Sequence, residues 1–236
     1  MSPKRSVRTA WPMPPGIFLW PTGMPKGDCM SRQPNGVLWG KVLLVFMGLT
    51  AGGKSTLAEA YAERSNGMHI NTDRVRKRLA GIEPTRRRPD KIDQGIYSPE
   101  LTERTYQQLL DQAEDAFAAG SSLVLLDGSY AKRTQRECVR ARGREMEVAV
   151  LFIYCFCTEE ETRRRLEMRS HDDSAVSDGR WEIYQHQKQT FELPDQEEDC
   201  ICFATSGEVE PLLRKLDQRI QEYVKAQQRS VCTKSG

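Results

Sequence analysis

Three groups of residues have types and spacing that chemistry can use. Gly48-Leu49-Thr50-Ala51-Gly52-Gly53-Lys54-Ser55-Thr56 fits GxxxxGK[ST], in which glycines let successive backbone N–H groups ring an anion. Lys54 brings a mobile positive charge to outer phosphates, and Ser55 brings a hydroxyl ligand for magnesium. A helix opening there turns its positive end to the same anion. The second group is Asp73-Arg74-Val75-Arg76. A carboxylate at Asp73 suits removal of a hydroxyl proton, and Arg76 suits an anionic or polar part of a second molecule. Spacing alone leaves another reading open, in which Asp73 caps the following helix and Arg76 is a solvated helix charge. Third, the apolar run 123–126 ends in Asp127, where an acid can face a nucleotide's magnesium; a plain Asp-Gly turn is the alternative. Gly128 stands where ATP-hydrolysing machines tend to place a catalytic glutamate, and the chain contains no NKxD motif. Both features favour transfer to a bound acceptor over hydrolysis.

Apolar runs at 42–47, 68–70, 123–126, 148–157 and 200–204 alternate with helical segments, which predicts a parallel five-stranded sheet with crossover helices. In such a sheet the carboxyl ends of the strands border the ligand crevice, so Asp73 falls on the same rim as the glycine-rich loop. Residues 54–64 read as one helix. Leu101, Thr105, Leu109, Ala113 and Ala116 trace a face of a longer one, with Ser98 as N-cap, Pro99 at its first position and Gly120 at its stop. Thr158-Glu159-Glu160-Glu161 makes a capping box that starts another helix. A final helix over about 210–225 presents Leu212, Leu213, Leu216, Ile220 and Val224 on one face, and residues 229–236 read as a frayed end.

At 236 residues and 38% hydrophobic content, the chain supports one core. Its longest apolar run, 148–157, is too short for a membrane span of about 20 residues. Seven cysteines without a secretory apolar segment and cleavage site predict a reducing, cytoplasmic compartment in which they stay thiols. The formal charge of +2 hides an uneven distribution. Residues 1–40 hold Lys4, Arg5, Arg8, Lys26 and Arg32 against Asp28, which leaves the remainder slightly acidic and gives no support for a nucleic-acid-binding body. Seven of the twelve prolines fall within residues 1–37, which read as a disordered tail before a domain at 38–228.

Arg163, Arg164 and Arg165 lie four residues after Glu159, Glu160 and Glu161, the spacing of exposed helical ion pairs. Arg169 lacks such a partner and precedes the polar stretch 170–178, which reads as a mobile flap; at its hinge, Arg169 is placed to reach a transferring phosphoryl group. A basic cluster of Arg74, Arg76, Lys77, Arg78, Arg86, Arg87 and Arg88 suits an anionic acceptor, single-stranded nucleic acid or a solvated face. Base-stacking aromatics are missing from it apart from Tyr97, so nucleic acid is the weaker reading. The pairs Cys155/Cys157 and Cys200/Cys202 suggest zinc or, with narrower spacing than most zinc sites, buried thiols. His69 is placed near a sheet end, and His171 and His186 in or after the flap.

With these residues in view, the chain resembles small P-loop kinases of the nucleoside-monophosphate-kinase-like superfamily. Within it, the chain is similar to bacterial AAA-type domains of predicted kinase function, which are themselves similar to gluconate kinase, chloramphenicol phosphotransferase and polynucleotide 5′-kinase. The likeness runs from about Val42 to Ser206 and rests on GLTAGGKST, NTDRVRKRLAG, YSPELTERTY, LLDGSYAKRTQR, RRRLEMR and Gln187-x-x-x-Phe191-Glu192-x-Pro194. It implies a three-layer α/β P-loop NTPase fold, with sheet order 2-3-1-4-5, helices on both faces and a lid near 163–180. It also implies ATP as phosphoryl donor and Mg²⁺ as cofactor, held by Lys54 and Ser55 with Asp127 on the magnesium side. Asp73 resembles the hydroxyl-activating base, Arg76 the acceptor-binding arginine, and Arg165 and Arg169 the lid arginines. Some relatives carry glycine where this chain has Ala51, a departure expected to matter little because a small residue is kept. The implied acceptor is a hydroxyl of a small molecule. A nucleic-acid 5′-hydroxyl and a non-catalytic, nucleotide-dependent or toxin-like module are the alternatives.

Overall fold

The strand β1 (Val42–Met47) is apolar throughout because both its faces are covered. Leu43, Val45 and Met47 enter one core and Leu44 and Phe46 the other. The structure is a computed structural model that describes residues 40–83, 95–170, 180–195, 197 and 199–234. The Pro-rich segment 1–37, Arg86 to Arg88 and the flap residues 171–179 lie outside the described residues.

After β1 come α1 (Lys54–Ser65), β2 (Met68–Asn71), α2 (Thr72–Leu79), a 3-10 turn (Gly95–Tyr97) and α3 (Pro99–Ala118). They are followed by β3 (Leu123–Asp127), α4 (Arg133–Glu145), β4 (Ala149–Phe156) and α5 (Glu159–Ser170). The chain ends with α6 (Trp181–Thr190), β5 (Cys200–Ala204) and α7 (Val209–Lys234). The five strands form one sheet in the order β2-β3-β1-β4-β5, with parallel pairing at every junction. Helices α1 and α7 pack on one face through Leu57, Tyr61, Leu213 and Leu216. Helices α2, α3 and α4 pack on the other through Val75, Leu109, Phe117 and Val139. This is the parallel sheet with crossover helices expected from the alternating runs, and the three-layer arrangement that the resemblance implied.

Local signals act where they were read. The Ser98 side chain accepts from Leu101 N at 3.3 Å, and Thr158 Oγ1 accepts from Glu161 N at 3.2 Å. The last helix is longer than the expected 210–225: it runs from Val209 to Lys234, and no glycine or proline stands between 212 and 235 to stop it. Helix α4 has few apolar residues, yet it buries Arg136 completely. The Arg136 guanidinium donates to both oxygens of Glu197 and, at 2.8 Å, to Tyr130 O; Arg140 adds ion pairs to Glu197 and to Asp199. These links tie α4 and the turn after β3 to the segment before β5.

The two cysteine pairs do not meet. Cys200 and Cys202 pair with Phe152 and Tyr154, so Cys155, one residue along, points to the opposite face of the sheet. Burial pushes the Cys155 thiol upward and that of Cys200 up to about 12, away from the thiolate a metal needs. Among the described residues no group of three His, Cys, Asp or Glu side chains could hold a metal, and no helix is long and apolar enough to cross a membrane.

Candidate active site

The loop between β1 and α1 is built against β4. Gly48 has φ 141°, and a Cβ added there would stand 2.3 Å from the Cys155 carbonyl oxygen. Gly48→Ala is therefore expected to cost about 2–3 kcal/mol of stability. Thermal unfolding and nucleotide titration check this, and an unchanged melting temperature would contradict the packing. Helix α1 begins after Gly53 with no side-chain cap and no acid in its first turn. Its leading N–H groups are thus left for an external anion. Lys54 Nζ donates to the Leu49 carbonyl oxygen at 3.3 Å, a long bond to a neutral group. Ala51 lies in the left-handed region at φ 56°. The change from glycine is therefore not neutral as expected: a Cβ there costs about 1–2 kcal/mol, partly offset by burial against Leu166 and Tyr184.

Asp127 ends β3 beside Phe46 of β1 and Asn71 of β2. It is buried, and its Oδ2 accepts from Asn71 Nδ2 at 2.6 Å. His69 Nε2 lies 3.5 Å from the same oxygen, within ion-pair range but not hydrogen-bonded. Burial pushes the Asp127 carboxyl upward, but His69, Lys54 and Ser55 outweigh it and hold the group below the usual carboxylate range. Its Oδ1 is buried and has no hydrogen-bond partner among the described residues. An orphaned anionic oxygen, with the Ser55 hydroxyl on the wall of the same cavity, fits a magnesium ion whose other ligands are phosphate oxygens and waters. After Asp127 the chain turns too tightly for a side chain: a Cβ at Gly128 would lie 2.3 Å from Thr72 Oγ1, which donates to Asp127 O at 2.6 Å. A glutamate at 128 has no room.

Asp73 stands in the first turn of α2, and the cap is taken by Asn71, whose side chain accepts from Arg74 N at 3.0 Å. Asp73 is thus free of the capping role that spacing had left open. Nor is Arg76 a solvated charge. Its side chain is 8% exposed, donates to Asp73 Oδ1 at 3.0 Å, and lies over the Tyr97 ring at 5.0 Å. Its Nε has no partner among the described residues. Lys77 is buried as well, so the basic cluster of α2 is not one face. Lys54, Ser55, Asp73, Arg76 and Asp127 all line one cavity of about 230 Å³.

Arg165 and Arg169, the arginines expected to serve a lid, have separate places. Arg165 is not on the cavity wall: its Nε donates to Glu161, and its terminal nitrogens to Ala51 O, Thr205 Oγ1 and Thr205 O. It braces the glycine-rich loop from behind. Arg169 sits in the last turn of α5, next to residues 171–179. Glu161 also binds Arg164, and these hydrogen bonds hold its carboxyl down at about 2. Because the folded pKa is depressed, the stability carried by Glu161 is complete above its ordinary 4.5 and is lost as pH falls toward 2. The melting-temperature gap between wild type and Glu161→Gln should close over that window; a gap independent of pH would refute the linkage.

Residues 43–194 match the AAA domain family, about two thirds of the chain. The chain belongs to the AAA domain family. Among curated proteins, uncharacterized proteins of Mycobacterium tuberculosis and Mycobacterium bovis are 32% identical over 122 residues. That match covers 52% of this chain and 24% of each relative, so it spans about a quarter of their length. Solved structures share the fold. A sugar kinase from a Janibacter species has a TM-score of 0.55 at 20% identity, over 75% of this chain and 92% of that one. A gluconokinase from Sinorhizobium meliloti has a TM-score of 0.51 at 20% identity, over 80% and 98%. An APS kinase from Mycobacterium tuberculosis, in complex with AMPPNP and APS, has a TM-score of 0.54 at 15% identity, over 79% and 98%. This AAA domain has the fold of P-loop kinases.

Sequence reading assigned no role in the AAA domain to α6, although Ile183, His186, Gln187 and Thr190 line the cavity at i, i+3, i+4, i+7 spacing. Only the Gln187-x-x-x-Phe191-Glu192-x-Pro194 motif marked the region. Tyr106 was also missed. Its hydroxyl accepts from Tyr130 N at 3.2 Å and shares a 3.0 Å hydrogen bond with Ser129, fastening the turn after Asp127.

Proposed function

We propose that this AAA domain is a magnesium- and ATP-dependent kinase that transfers the γ-phosphoryl group to a hydroxyl of a small polar acceptor. The observation that carries the reading is the shared cavity, in which a carboxylate without a capping duty, Asp73, opens onto the same space as Lys54 and Ser55. Magnesium, when bound, neutralises phosphate charge and orients the donor. Asp73 accepts the hydroxyl proton as the acceptor oxygen bonds to the γ-phosphorus and the bond to the β-phosphate oxygen breaks. Lys54 and the open N–H groups of α1 stabilise the charge that moves onto the departing diphosphate. Arg76 holds Asp73 in place, and its Nε is left for the acceptor.

The acceptor side offers neutral hydrogen-bonding groups, namely Thr102, Tyr106, Ser129, Gln135 and Thr190. That lining suits a compact, hydroxyl-rich molecule. A screen with γ-labelled ATP, magnesium and a panel of sugars, polyols, hydroxy acids, nucleosides and 5′-hydroxyl oligonucleotides tests the reading. Label should pass to a small polyol or hydroxy acid. Transfer to oligonucleotides alone, or ATP turnover that no acceptor stimulates, would overturn it.

A further inference from the structure

Helix α6 touches both halves of the cavity. Ile183, His186 and Thr190 line the cavity, while Gln187, on the same stripe, also reaches the glycine-rich loop: its Oε1 accepts from Thr50 N at 2.8 Å. Thr50 is largely buried at the cavity wall, so loss of the glutamine would remove the protein acceptor of this N–H. Tyr184, on the neighbouring stripe, packs against Ala51, and Trp181 closes the same small cluster. The other end of α6 is fastened to the turn after Asp127. Glu192 N donates to Ala131 O at 2.9 Å, Arg133 N to Glu192 Oε2 at 2.7 Å, and Lys132 Nζ to Thr190 O at 3.2 Å. One short helix is therefore tied to the loop that would hold the donor, to the acceptor wall and to the turn bearing the magnesium-side acid.

We propose that Gln187 is a positioning residue for the glycine-rich loop, holding Thr50 and the adjoining left-handed Ala51 so that the loop's remaining N–H groups converge on phosphate. The inference rests on the kinase reading. Gln187 touches no reacting atom in this account; it acts through the Thr50 amide.

The test compares Gln187→Met, which keeps length but offers only a weak sulfur acceptor, with Gln187→Glu, which keeps a strong oxygen acceptor. In nucleotide-free protein, hydrogen exchange of the Thr50 amide should be slow in the wild type and in Q187E, and at least about tenfold faster in Q187M. Amides of β1 and β4 should exchange equally in all three, which separates local loosening from global destabilisation. Binding of magnesium AMP-PNP, followed by calorimetry without any acceptor, should weaken about tenfold in Q187M. Thr50 exchange in Q187M at the wild-type rate, or AMP-PNP affinity within about twofold of wild type, would overturn the proposal. A wild type that binds no AMP-PNP would instead overturn the donor reading beneath it, a result distinct from both.

Discussion

Replacing Asp73 by asparagine is expected to lower phosphoryl transfer about 10²–10⁴-fold in kcat while ATP affinity stays within about threefold. The substitution is geometrically mild. Asparagine keeps an oxygen that can accept the 3.0 Å bond from Arg76, and the helix cap belongs to Asn71, so neither the helix start nor the arginine is disturbed. What disappears is the ability to take a proton. The variant also gives up a negative charge in the first turn of α2, worth about 0.3–1 kcal/mol, so a small drop in melting temperature is expected. Single-turnover transfer to whichever acceptor the screen identifies, alongside calorimetric titration of AMP-PNP, makes the comparison. Full transfer activity in Asp73→Asn would remove the base assignment and leave the fold reading intact.

Lys54→Met should fail on the donor side. Loss of the ammonium is expected to lower transfer about 10²–10³-fold and to weaken ATP binding as well, because the charge meets phosphate in both the ground state and the transition state. Folding should survive: among the described residues Nζ donates only the long hydrogen bond to Leu49 O, and methionine retains the apolar stem. The two variants thus predict opposite patterns, loss of kcat with binding preserved for Asp73 and loss of both for Lys54. If Lys54→Met bound and turned over ATP like the wild type, the glycine-rich loop would not be the donor site.

Much of this was legible in the sequence because the relevant signals are local. A buried parallel strand is a short unbroken apolar run, so β1 and β5 were bounded correctly and the others to within one or two residues. The glycine-rich loop and Ser98 specify backbone geometry within a few positions of themselves. Helices α4 and α6 were not read, and their residues explain why. Helix α4 is held inward by Arg136, whose partner Glu197 lies 61 residues away. Helix α6 has one buried residue, Tyr184, too little for a periodic stripe. Asp73 was ambiguous for a related reason: which of two nearby polar residues caps a helix is decided by where β2 stops. The contact of Arg165 with Thr205 could not be read locally, because the two are 40 residues apart.

The contact between Gly128 and Thr72 also limits how this protein could change. A lineage, or an engineer, seeking a water-activating glutamate after Asp127 could not arrive there by altering residue 128 alone, since the first added carbon already collides with the Thr72 hydroxyl. The hydroxyl would have to go first, and its loss by itself removes the hydrogen bond that shapes the Asp127 turn. Under the kinase reading, the shortest mutational path from transfer to hydrolysis therefore begins with a weakened intermediate.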